Sequence, residues 1–334
     1  MKYPAAVALF LLSAMTHSAE SRPPIIDMHL HALKIKSFVA LGGPPPIPHC
    51  VPMTDYPIPQ NGQDWSSILR SRELSCRAVW SPMTDDDVMH ATVATLERHN
   101  IFGVTSGANV ARYMEAAPDR IIPALSFGGG PDAPSADTVR QLLTGGEFLV
   151  FGEVTAQYGG LSPDDPALEP YWALAEELKI PVGIHIGTGP VGAPYLLFKR
   201  YRARLHSPLG LEEVLLEHPK LRIYIMHAGW PMLDDLLAVL WTHPQVYVDL
   251  GVIDWALPRK EFHRYLQRLV EAGFGKRVLF GSDQMIWPEV IEVAIENVES
   301  ADFLSEEQKR DIFFNNAVRF LQLPQHQVEA MQGG

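Results

Sequence analysis

The chain alternates between short apolar runs and helical patterns. The apolar runs are rich in Val, Ile and Phe and lie at 25–31, 101–107, 121–127, 148–155, 181–187, 221–229, 246–251 and 277–283. Most of them lack strict apolar–polar alternation, which is typical of strands that are covered on both faces. Helical patterns lie between them at 85–100, 166–179, 209–219 and 260–273. This order predicts an α/β fold, a closed (β/α)8 TIM barrel, and the absence of a G-x-G-x-x-G after any strand disfavours a dinucleotide-binding sheet.

The predicted barrel occupies residues 25–323 of a 334-residue chain, which is long enough for one domain of this size. A long insert at 32–80 separates the first strand from the first clear helix and is too rich in proline for a helix or a central strand. We expect the insert to form a lid over the barrel mouth, because loops of this length are usually functional or disordered and this one has apolar residues that can pack. Those residues are Trp65, Ile68, Leu69 and Trp80. Residues 324–334 are assigned to a C-terminal tail.

The first 19 residues have the layout of a secretory signal peptide: a basic start, the apolar run AAVALFLLSAM and small residues that favour cleavage near Ala19. An N-terminal helix or strand of the domain is the alternative. No later stretch is apolar for long enough to cross a bilayer, so we expect a periplasmic or secreted protein whose mature chain does not insert into a membrane. In an oxidising compartment Cys50 and Cys76 could pair, although two free thiols remain an alternative.

The charge balance is acidic, with a formal net charge of −12 and an isoelectric point of about 5.5. A general nucleic-acid-binding surface is therefore not expected. The expected partner is a small-molecule substrate, and the sequence leaves open whether the protein forms a homo-oligomer.

Polar residues end several of the predicted strands, where barrel enzymes keep their catalytic groups. His29 and His31 are two positions apart in the first strand, so both side chains would face the same side, ~6.5 Å apart along the strand. Later strands end in Glu153, His185, His227 and Asp283. A zinc site uses imidazole nitrogens and carboxylate oxygens, and a catalytic one keeps a position open for water. The set predicts a site for one or two divalent ions, with zinc as the expected metal.

Each of these residues also has an ordinary structural explanation. A single histidine at a strand end is usually a hydrogen-bonded structural residue, and Asp283 alone could be a helix N-cap. Independent structural roles would not require all of them on strands that share one mouth, so the joint pattern favours metal binding. Asp27 either orients a ligand histidine through its second nitrogen or caps local backbone.

Several motifs resemble the amidohydrolase superfamily, in its amidohydrolase-related (amidohydrolase 2) branch. They are D-x-H-x-H in the first strand, the histidine of the fifth, HAGWP after the sixth, FGSD at the eighth, and the segments ALAEELKIPVGIHIG and IFFNNAVRFLQL. The resemblance implies a metal-dependent TIM barrel that acts on C–N, C–O or P–O bonds, with some members that decarboxylate or hydrate. The residues that match its ligand or catalytic positions are His29, His31, His185, His227 and Asp283.

Glu153 departs from a common pattern in that superfamily. Many members with two metals bridge them with a carboxylated lysine on the fourth strand, where this chain has glutamate. Glutamate at this position is similar to members such as the TatD-like nucleases, and many members with one metal have no bridge at all. The number of metal ions is therefore open, and we favour two ions bridged by Glu153.

The resemblance also implies catalytic roles. Asp283 would accept a proton from water and return it to the leaving group, and His227 would either bind a second metal or stabilise the developing oxyanion. We expect hydrolysis of an amide, ester or lactone, with metal-dependent decarboxylation or hydration of an aromatic or unsaturated acid as the alternative. A metal-storage protein would not need a proton-shuttling Asp283, and a nuclease conflicts with the acidic charge balance.

Aromatic and basic residues after the strands suggest what the substrate contacts. Trp230, Trp255, Trp287 and Tyr158 would suit a flat or aromatic substrate, with ordinary loop packing as the alternative. The segment FKRYRAR at 198–204 contains Arg202, which could bind an anionic group, although a solvated face explains most basic runs.

Overall fold

The computed structural model describes residues 22–53, 62, 76–130, 133–195 and 197–333, without the side chain of Leu41. The predicted signal peptide at 1–19 lies outside the described residues. So do Trp65, Ile68 and Leu69 of the insert.

Eight parallel strands form one sheet, in which each strand pairs with the next barrel strand along the chain. These are β1 (Ile25–His31), β4 (Ile101–Ser106), β5 (Ile121–Phe127), β6 (Val150–Val154), β7 (Val182–His185), β8 (Ile223–Met226), β9 (Val246–Asp249) and β10 (Val278–Leu279). Two further strands, β2 (Pro48–Cys50) and β3 (Ala78–Trp80), pair antiparallel outside the barrel. The predicted TIM barrel is confirmed, with strands at all eight predicted positions.

The barrel closes through an extended segment that follows β10. The backbone N–H of Met28 in β1 donates to the carbonyl oxygen of Phe280 at 2.8 Å, and the N–H of Asp283 donates to the carbonyl oxygen of His29 at 2.7 Å. The eighth predicted strand, 277–283, is therefore regular only in its first part. Its remainder is held against β1 by separate hydrogen bonds, which bring Asp283 beside His29.

Helices connect the strands and surround the barrel. They are α1 (Val39–Gly42), α2 (Asp85–Arg98), α3 (Val110–Ala116), α4 (Ala136–Thr144), α5 (Glu169–Leu178), α6 (Glu212–Glu217), α7 (Leu233–Thr242), α8 (Ile253–Ala256), α9 (Arg259–Glu271), α10 (Val290–Glu299), α11 (Glu306–Arg310), α12 (Asn316–Leu321) and α13 (Gln325–Met331). Thr84 caps α2, since its side chain accepts the backbone N–H of Asp87 at 3.1 Å. Among the described residues, no helix is both long and apolar enough to cross a membrane.

Two clusters of buried apolar residues hold the barrel together. The larger lies between strands and helices and includes Phe151, Ile184 and Trp172. The smaller joins strand residues such as Ile26 and Tyr224 to residues of the C-terminal helical region, among them Phe314 and Phe320. Helix α13 lies within the predicted tail 324–334, and its Val328 and Met331 pack against this second cluster.

The insert after β1 has its own local structure. It contains a 3₁₀ turn at Ile35–Ser37, helix α1 and the antiparallel pair β2–β3. A disulfide joins Cys50 to Cys76, with Cα atoms 5.7 Å apart, so the two cysteines pair and are not free thiols. The disulfide ties the chain that leaves β2 to the chain that enters β3.

Candidate metal centre

All six residues predicted as ligands lie at the carboxyl ends of barrel strands. His29 and His31 are in β1, Glu153 is in β6, and His185 is the last residue of β7. His227 follows β8 directly, and Asp283 is held beside β1 by its backbone hydrogen bond to His29. The (β/α)8 topology brings the carboxyl ends of all parallel strands to one mouth, which explains why residues far apart in sequence meet there.

The Glu153 carboxylate lies between two pairs of histidines. Its Oε1 is 2.7 Å from His185 Nδ1 and 3.7 Å from His227 Nε2. Its Oε2 is 3.5 Å from His31 Nε2 and 3.9 Å from His29 Nε2. A carboxylate in this position can offer one oxygen to each side, as a bridging ligand does.

The Asp283 carboxylate faces the first pair. Its Oδ1 is 3.0 Å from His31 Nε2 and 3.7 Å from His29 Nε2, and its Oδ2 is 3.9 Å from His227 Nδ1. Two groups in this region have ligand atoms within 4.8 Å of one another: His29, His31 and Asp283, and His29, Glu153 and His227. Imidazole and carboxylate are the ligand types of zinc and related divalent metals.

Two of the histidines are oriented by hydrogen bonds on the side away from the carboxylates. His29 Nδ1 donates to Asp249 Oδ2 at 3.1 Å, and His227 Nδ1 donates to the carbonyl oxygen of Gly251 at 2.9 Å. These partners accept hydrogen bonds, so each Nδ1 carries a proton and each ring turns its Nε2 toward the centre of the site, where a metal ion would replace any proton on that atom. The same device orients metal-binding histidines generally.

The other two histidines have hydroxyl partners. Tyr158 Oη is 3.2 Å from His185 Nε2, and Ser106 Oγ is 3.3 Å from His31 Nδ1. His29 and His31 thus keep Nε2 for the carboxylates. His185 Nδ1 lies 2.7 Å from Glu153 Oε1 and 2.8 Å from His227 Nε2, so these two imidazoles meet at the same oxygen. His29 Nε2 is buried without a hydrogen-bond partner, and a buried polar atom of this kind requires an explanation. A bound divalent metal ion would satisfy His29 Nε2, so the residues present fit a metal.

The charges at the site support the same interpretation. Burial would raise the pKa of Glu153, but hydrogen bonds to His185 and His227 outweigh it and hold the pKa well below the ordinary value. Burial would also raise the pKa of Asp283, but His29 and His31 outweigh this effect and lower the pKa of that carboxyl group. Both carboxylates are therefore ionised at neutral pH. Burial lowers the pKa of His29, but the carboxylates of Asp283 and Asp249 raise it well above its usual range.

Asp249 belongs to the candidate site and was missed by the sequence reasoning. Besides orienting His29, it accepts the backbone N–H of His227 and of Gly251 through Oδ1, each at 2.9 Å. Its position as the final residue of β9, in VYVDLG, was the available signal. The Asp27 carboxylate accepts the backbone N–H groups of His29 and Ser282 at 2.9 and 3.0 Å and also accepts the hydroxyl of Ser282. Of its two predicted roles, the structure shows backbone capping.

Close packing around His29 requires a glycine. A Cβ added to Gly251 would lie 2.7 Å from His29 Nδ1, well inside van der Waals contact. Because the His29 ring is already held by Asp249, it cannot move aside without losing its hydrogen bond. Gly251 therefore lets the chain after β9 approach the site closely.

A cavity of about 870 Å³ opens above these residues. Its floor includes His31, Glu153, His185, His227 and Asp283. The insert contributes to its wall through Leu33, Phe38, Gly42, Ile47, Pro48, His49 and Met53. The insert thus borders the site on one side, where a lid was predicted. Sequence reasoning had not singled out His49, whose ring lies 4.9 Å from that of Trp255 and 4.8 Å from that of Trp287.

The predicted substrate-binding residues divide into two groups. Trp230, Trp287 and Tyr158 line the cavity. Trp255 does not: it is completely buried, and its indole N–H donates to the carbonyl oxygen of Ser282 at 2.6 Å. Arg202 does not line the cavity either, because its guanidinium folds onto its own loop and donates to the carbonyl oxygen of Tyr201 at 2.7 Å. The structure therefore places neither Trp255 nor Arg202 at the cavity.

Comparison with known families gives one match over most of the chain. Residues 26–323 match the family model described as Amidohydrolase. The chain belongs to the amidohydrolase family. The resemblance of its motifs to the amidohydrolase-related branch is thereby confirmed.

Solved structures similar to this chain share its fold. A TIM-barrel protein of Bordetella bronchiseptica is 19% identical, with a TM-score of 0.57, over 92% of this chain and 99% of that one. A dihydroxybenzoic acid decarboxylase of Polaromonas sp. JS666, solved with bound manganese and the inhibitor 2-nitroresorcinol, is 15% identical with a TM-score of 0.56. That match covers 90% of this chain and 97% of the decarboxylase chain. At these identities the likeness shows the fold alone.

One curated relative is the protein fluG of Emericella nidulans, 22% identical over 132 residues. The match covers 35% of the amidohydrolase chain and 15% of the length of fluG. It therefore relates one part of each protein.

Asp254 is a buried acid outside the candidate ligand cluster. It lies in α8, is fully buried, and neither oxygen of its carboxyl group has a hydrogen-bond partner among the described residues. Burial, together with the nearby carboxylates of Asp27, Asp249 and Asp283, raises its pKa well above the ordinary value. Asp254 is therefore protonated in the folded protein over a range of pH in which the unfolded chain would ionise it.

This difference predicts how the Asp254→Asn substitution affects stability. Because the unfolded state loses a proton that the folded state keeps, the Asp254 carboxyl destabilises the fold increasingly as pH rises above its unfolded pKa. Replacing it with asparagine should raise the free energy of unfolding, with a gain that grows by up to about 1.4 kcal/mol per pH unit. Urea denaturation of both proteins at several pH values and saturating metal measures the gain. The exposed Asp302→Asn serves as the control, and a gain independent of pH would contradict the assignment.

Proposed function

We propose that this protein is a metal-dependent hydrolase that uses an activated water on an amide, ester or lactone. The observation that carries the proposal is the position of the Asp283 carboxylate at the floor of a cavity of about 870 Å³, with Oδ1 3.0 Å from His31 Nε2 and 3.7 Å from His29 Nε2. An ionised carboxylate at this position can accept a proton from water next to a bound substrate. A storage or binding protein has no use for such a base.

The residues that would hold the metal are those that converge on the two carboxylates. We propose that His29, His31 and Asp283 bind one ion and that His185 and His227 bind a second, with Glu153 between them. When bound, a divalent metal polarises the scissile carbonyl and lowers the pKa of water toward neutrality. We propose zinc from the ligand set; manganese is the alternative, since carboxylate ligands also suit it.

The side chains then supply the proton transfers. Asp283 accepts a proton from the water molecule while the water oxygen attacks the carbonyl carbon. The C–N or C–O bond breaks, and Asp283 returns that proton to the leaving nitrogen or oxygen. His227 Nδ1 donates to the carbonyl oxygen of Gly251, and its Nε2 lies 2.8 Å from His185 Nδ1 and 3.7 Å from Glu153 Oε1. This position beside the other proposed ligands supports a ligand role over that of an oxyanion donor. We therefore propose that His227 is a ligand of the second metal ion.

Decarboxylation of an aromatic acid is the second candidate. It is supported by the likeness of fold to the Polaromonas decarboxylase, and the same set of histidines and carboxylates could hold a metal for either reaction. A decarboxylase releases CO₂ from its substrate, whereas a hydrolase consumes water and releases an acid together with an amine or alcohol. The products distinguish the two reactions.

The test is a product assay on the protein reconstituted with zinc or with manganese. The substrates are an anilide, a series of aryl esters, a series of lactones and a series of hydroxybenzoic acids. We expect acid release from at least one amide, ester or lactone, loss of that activity in the Asp283→Asn variant, and no CO₂ from the hydroxybenzoates. CO₂ release without hydrolysis would support the second candidate and contradict the first.

We also propose that the protein is exported and acts in the periplasm or outside the cell. The sequence of residues 1–19 and the Cys50–Cys76 disulfide support this, because disulfides persist in oxidising compartments. Mass spectrometry of the protein from its native host should find an N-terminus near residue 20. Cytoplasmic protein that retains Met1 would contradict export.

A further inference from the structure

The walls of the active-site cavity are mostly apolar. Above the floor, side chains from the insert and from several strand-end loops face the open space. Examples are Phe38, Met53, Phe198, Trp230, Leu257 and Met285. A volume of about 870 Å³ is near the upper end of the range for small-molecule sites, so the cavity can hold a drug-sized molecule.

The charged groups that reach this cavity are acidic. Apart from the histidines, the charged residues among its described lining are Glu153 and Asp283, and that lining contains no lysine or arginine. Both carboxylates belong to the metal centre at the floor. A substrate that carried a second negative charge, away from the bond that reacts, would place it against the apolar walls.

The basic segment 198–204, which follows the fifth barrel strand (β7), does not add positive charge to the cavity lining. Lys199, Arg200, Arg202 and Arg204 are all exposed and none lines the cavity. Arg202 Nη1 donates hydrogen bonds to two backbone carbonyl oxygens of its own loop, those of Lys199 and Tyr201. The anion-binding role considered for this segment therefore has no geometric support at the cavity.

From these observations we propose that the substrate is uncharged, with a bulky apolar or aromatic group that fills the cavity beside the bond to be hydrolysed. Burying a carboxylate against apolar walls without a cationic partner is strongly unfavourable, so matched molecules that differ only by a remote carboxylate should be discriminated. This inference rests on the proposed hydrolytic function. The inference goes beyond that function by naming an uncharged ester, lactone or amide as the substrate class.

Binding tests the inference separately from catalysis. Hexanophenone and 6-oxo-6-phenylhexanoate have the same carbon skeleton, end in a methyl group or a carboxylate, and contain no bond that this reaction hydrolyses. Titration calorimetry on the zinc-loaded protein should give at least about 100-fold tighter binding of the uncharged ketone. Equal binding, or tighter binding of the carboxylate, would overturn the inference even if the protein hydrolyses esters.

Catalysis is measured on a matched pair of esters, 4-nitrophenyl hexanoate and the 4-nitrophenyl monoester of adipic acid. We expect kcat/KM to favour the hexanoate by about the same factor as binding. Hydrolysis without this preference would overturn the substrate inference and leave the hydrolase proposal standing. If neither ester reacts and no substrate in the product assay is hydrolysed, the hydrolase proposal fails. The titration with the two ketones still shows whether the cavity prefers an uncharged molecule.

A cation placed on the wall should reverse the preference. Val191 lines the cavity, whereas Leu197 in the same loop region is 48% exposed and does not line it. Val191→Lys should tighten binding of the carboxylated ketone by about 10-fold or more, and Leu197→Lys should leave the ratio of the two affinities unchanged. Leu257→Lys provides a second wall position if Val191→Lys does not fold. A similar change in both Val191→Lys and Leu197→Lys would show that general surface charge, not the cavity wall, sets the preference.

Discussion

Asp283→Asn should lower kcat by between about 100- and 10,000-fold, the range usual for loss of a general acid–base group. Asparagine keeps the shape of the side chain and one oxygen toward His31, but it cannot accept a proton from water. We therefore expect metal content to fall much less than activity. Steady-state kinetics on the best substrate from the product assay, with metal measured on the same samples, provides the comparison.

Two further variants separate this role from general damage. Asp302→Asn changes an exposed aspartate and should leave both kcat and metal content unchanged. His185→Ala removes a nitrogen that faces Glu153 at 2.7 Å, so it should lower metal content as well as activity. Near-normal kcat in Asp283→Asn at full metal occupancy would refute the role of Asp283 as the base.

Glu153→Gln should reduce the metal content at saturating zinc from about two ions per chain to about one. Two dications ~3.5–4 Å apart repel each other strongly, and a carboxylate shared between them offsets that repulsion. The neutral glutamine removes the charge while keeping one oxygen, so the second ion should be lost. Elemental analysis after equilibrium dialysis measures the stoichiometry.

Glu147→Gln is the matched control, because Glu147 is exposed and lies in the segment before β6. It should bind the same number of ions as the unaltered protein. The rival arrangement has one ion held by His29, His31, His185 and Asp283, with Glu153 hydrogen-bonded nearby. One ion in both the unaltered protein and Glu153→Gln would establish that arrangement and exclude the bridge.

The positions of the strands and of the six candidate ligands followed from sequence patterns. Apolar runs bounded by polar or glycine-rich loops marked all eight barrel strands, because strands covered on both faces must be apolar along their length. A parallel barrel has one functional mouth, so the polar residue that ends each run was assigned to the same site. The two-residue spacing of His29 and His31 placed both on one side of β1.

Side-chain direction in the loops required the tertiary structure. Trp255 and Trp230 both follow strands, yet Trp230 lines the cavity, whereas Trp255 is fully buried and its indole N–H donates to the carbonyl oxygen of Ser282. Arg202 likewise turns back onto its own loop. Loop backbone has no fixed period, so neither spacing nor residue type indicates which way such a side chain points.

Sequence by itself thus determined the barrel, its functional mouth and the residue types that gather there, because local hydrophobic periodicity and parallel topology suffice for all three. Only the tertiary structure decided the finer arrangement: that Asp249 and not Asp27 orients His29, that Glu153 lies between two histidine pairs, and that the cavity walls are apolar. These features depend on contacts between elements distant in the chain. Their distances and angles are set by how the strands, the closing segment after β10 and the insert pack together.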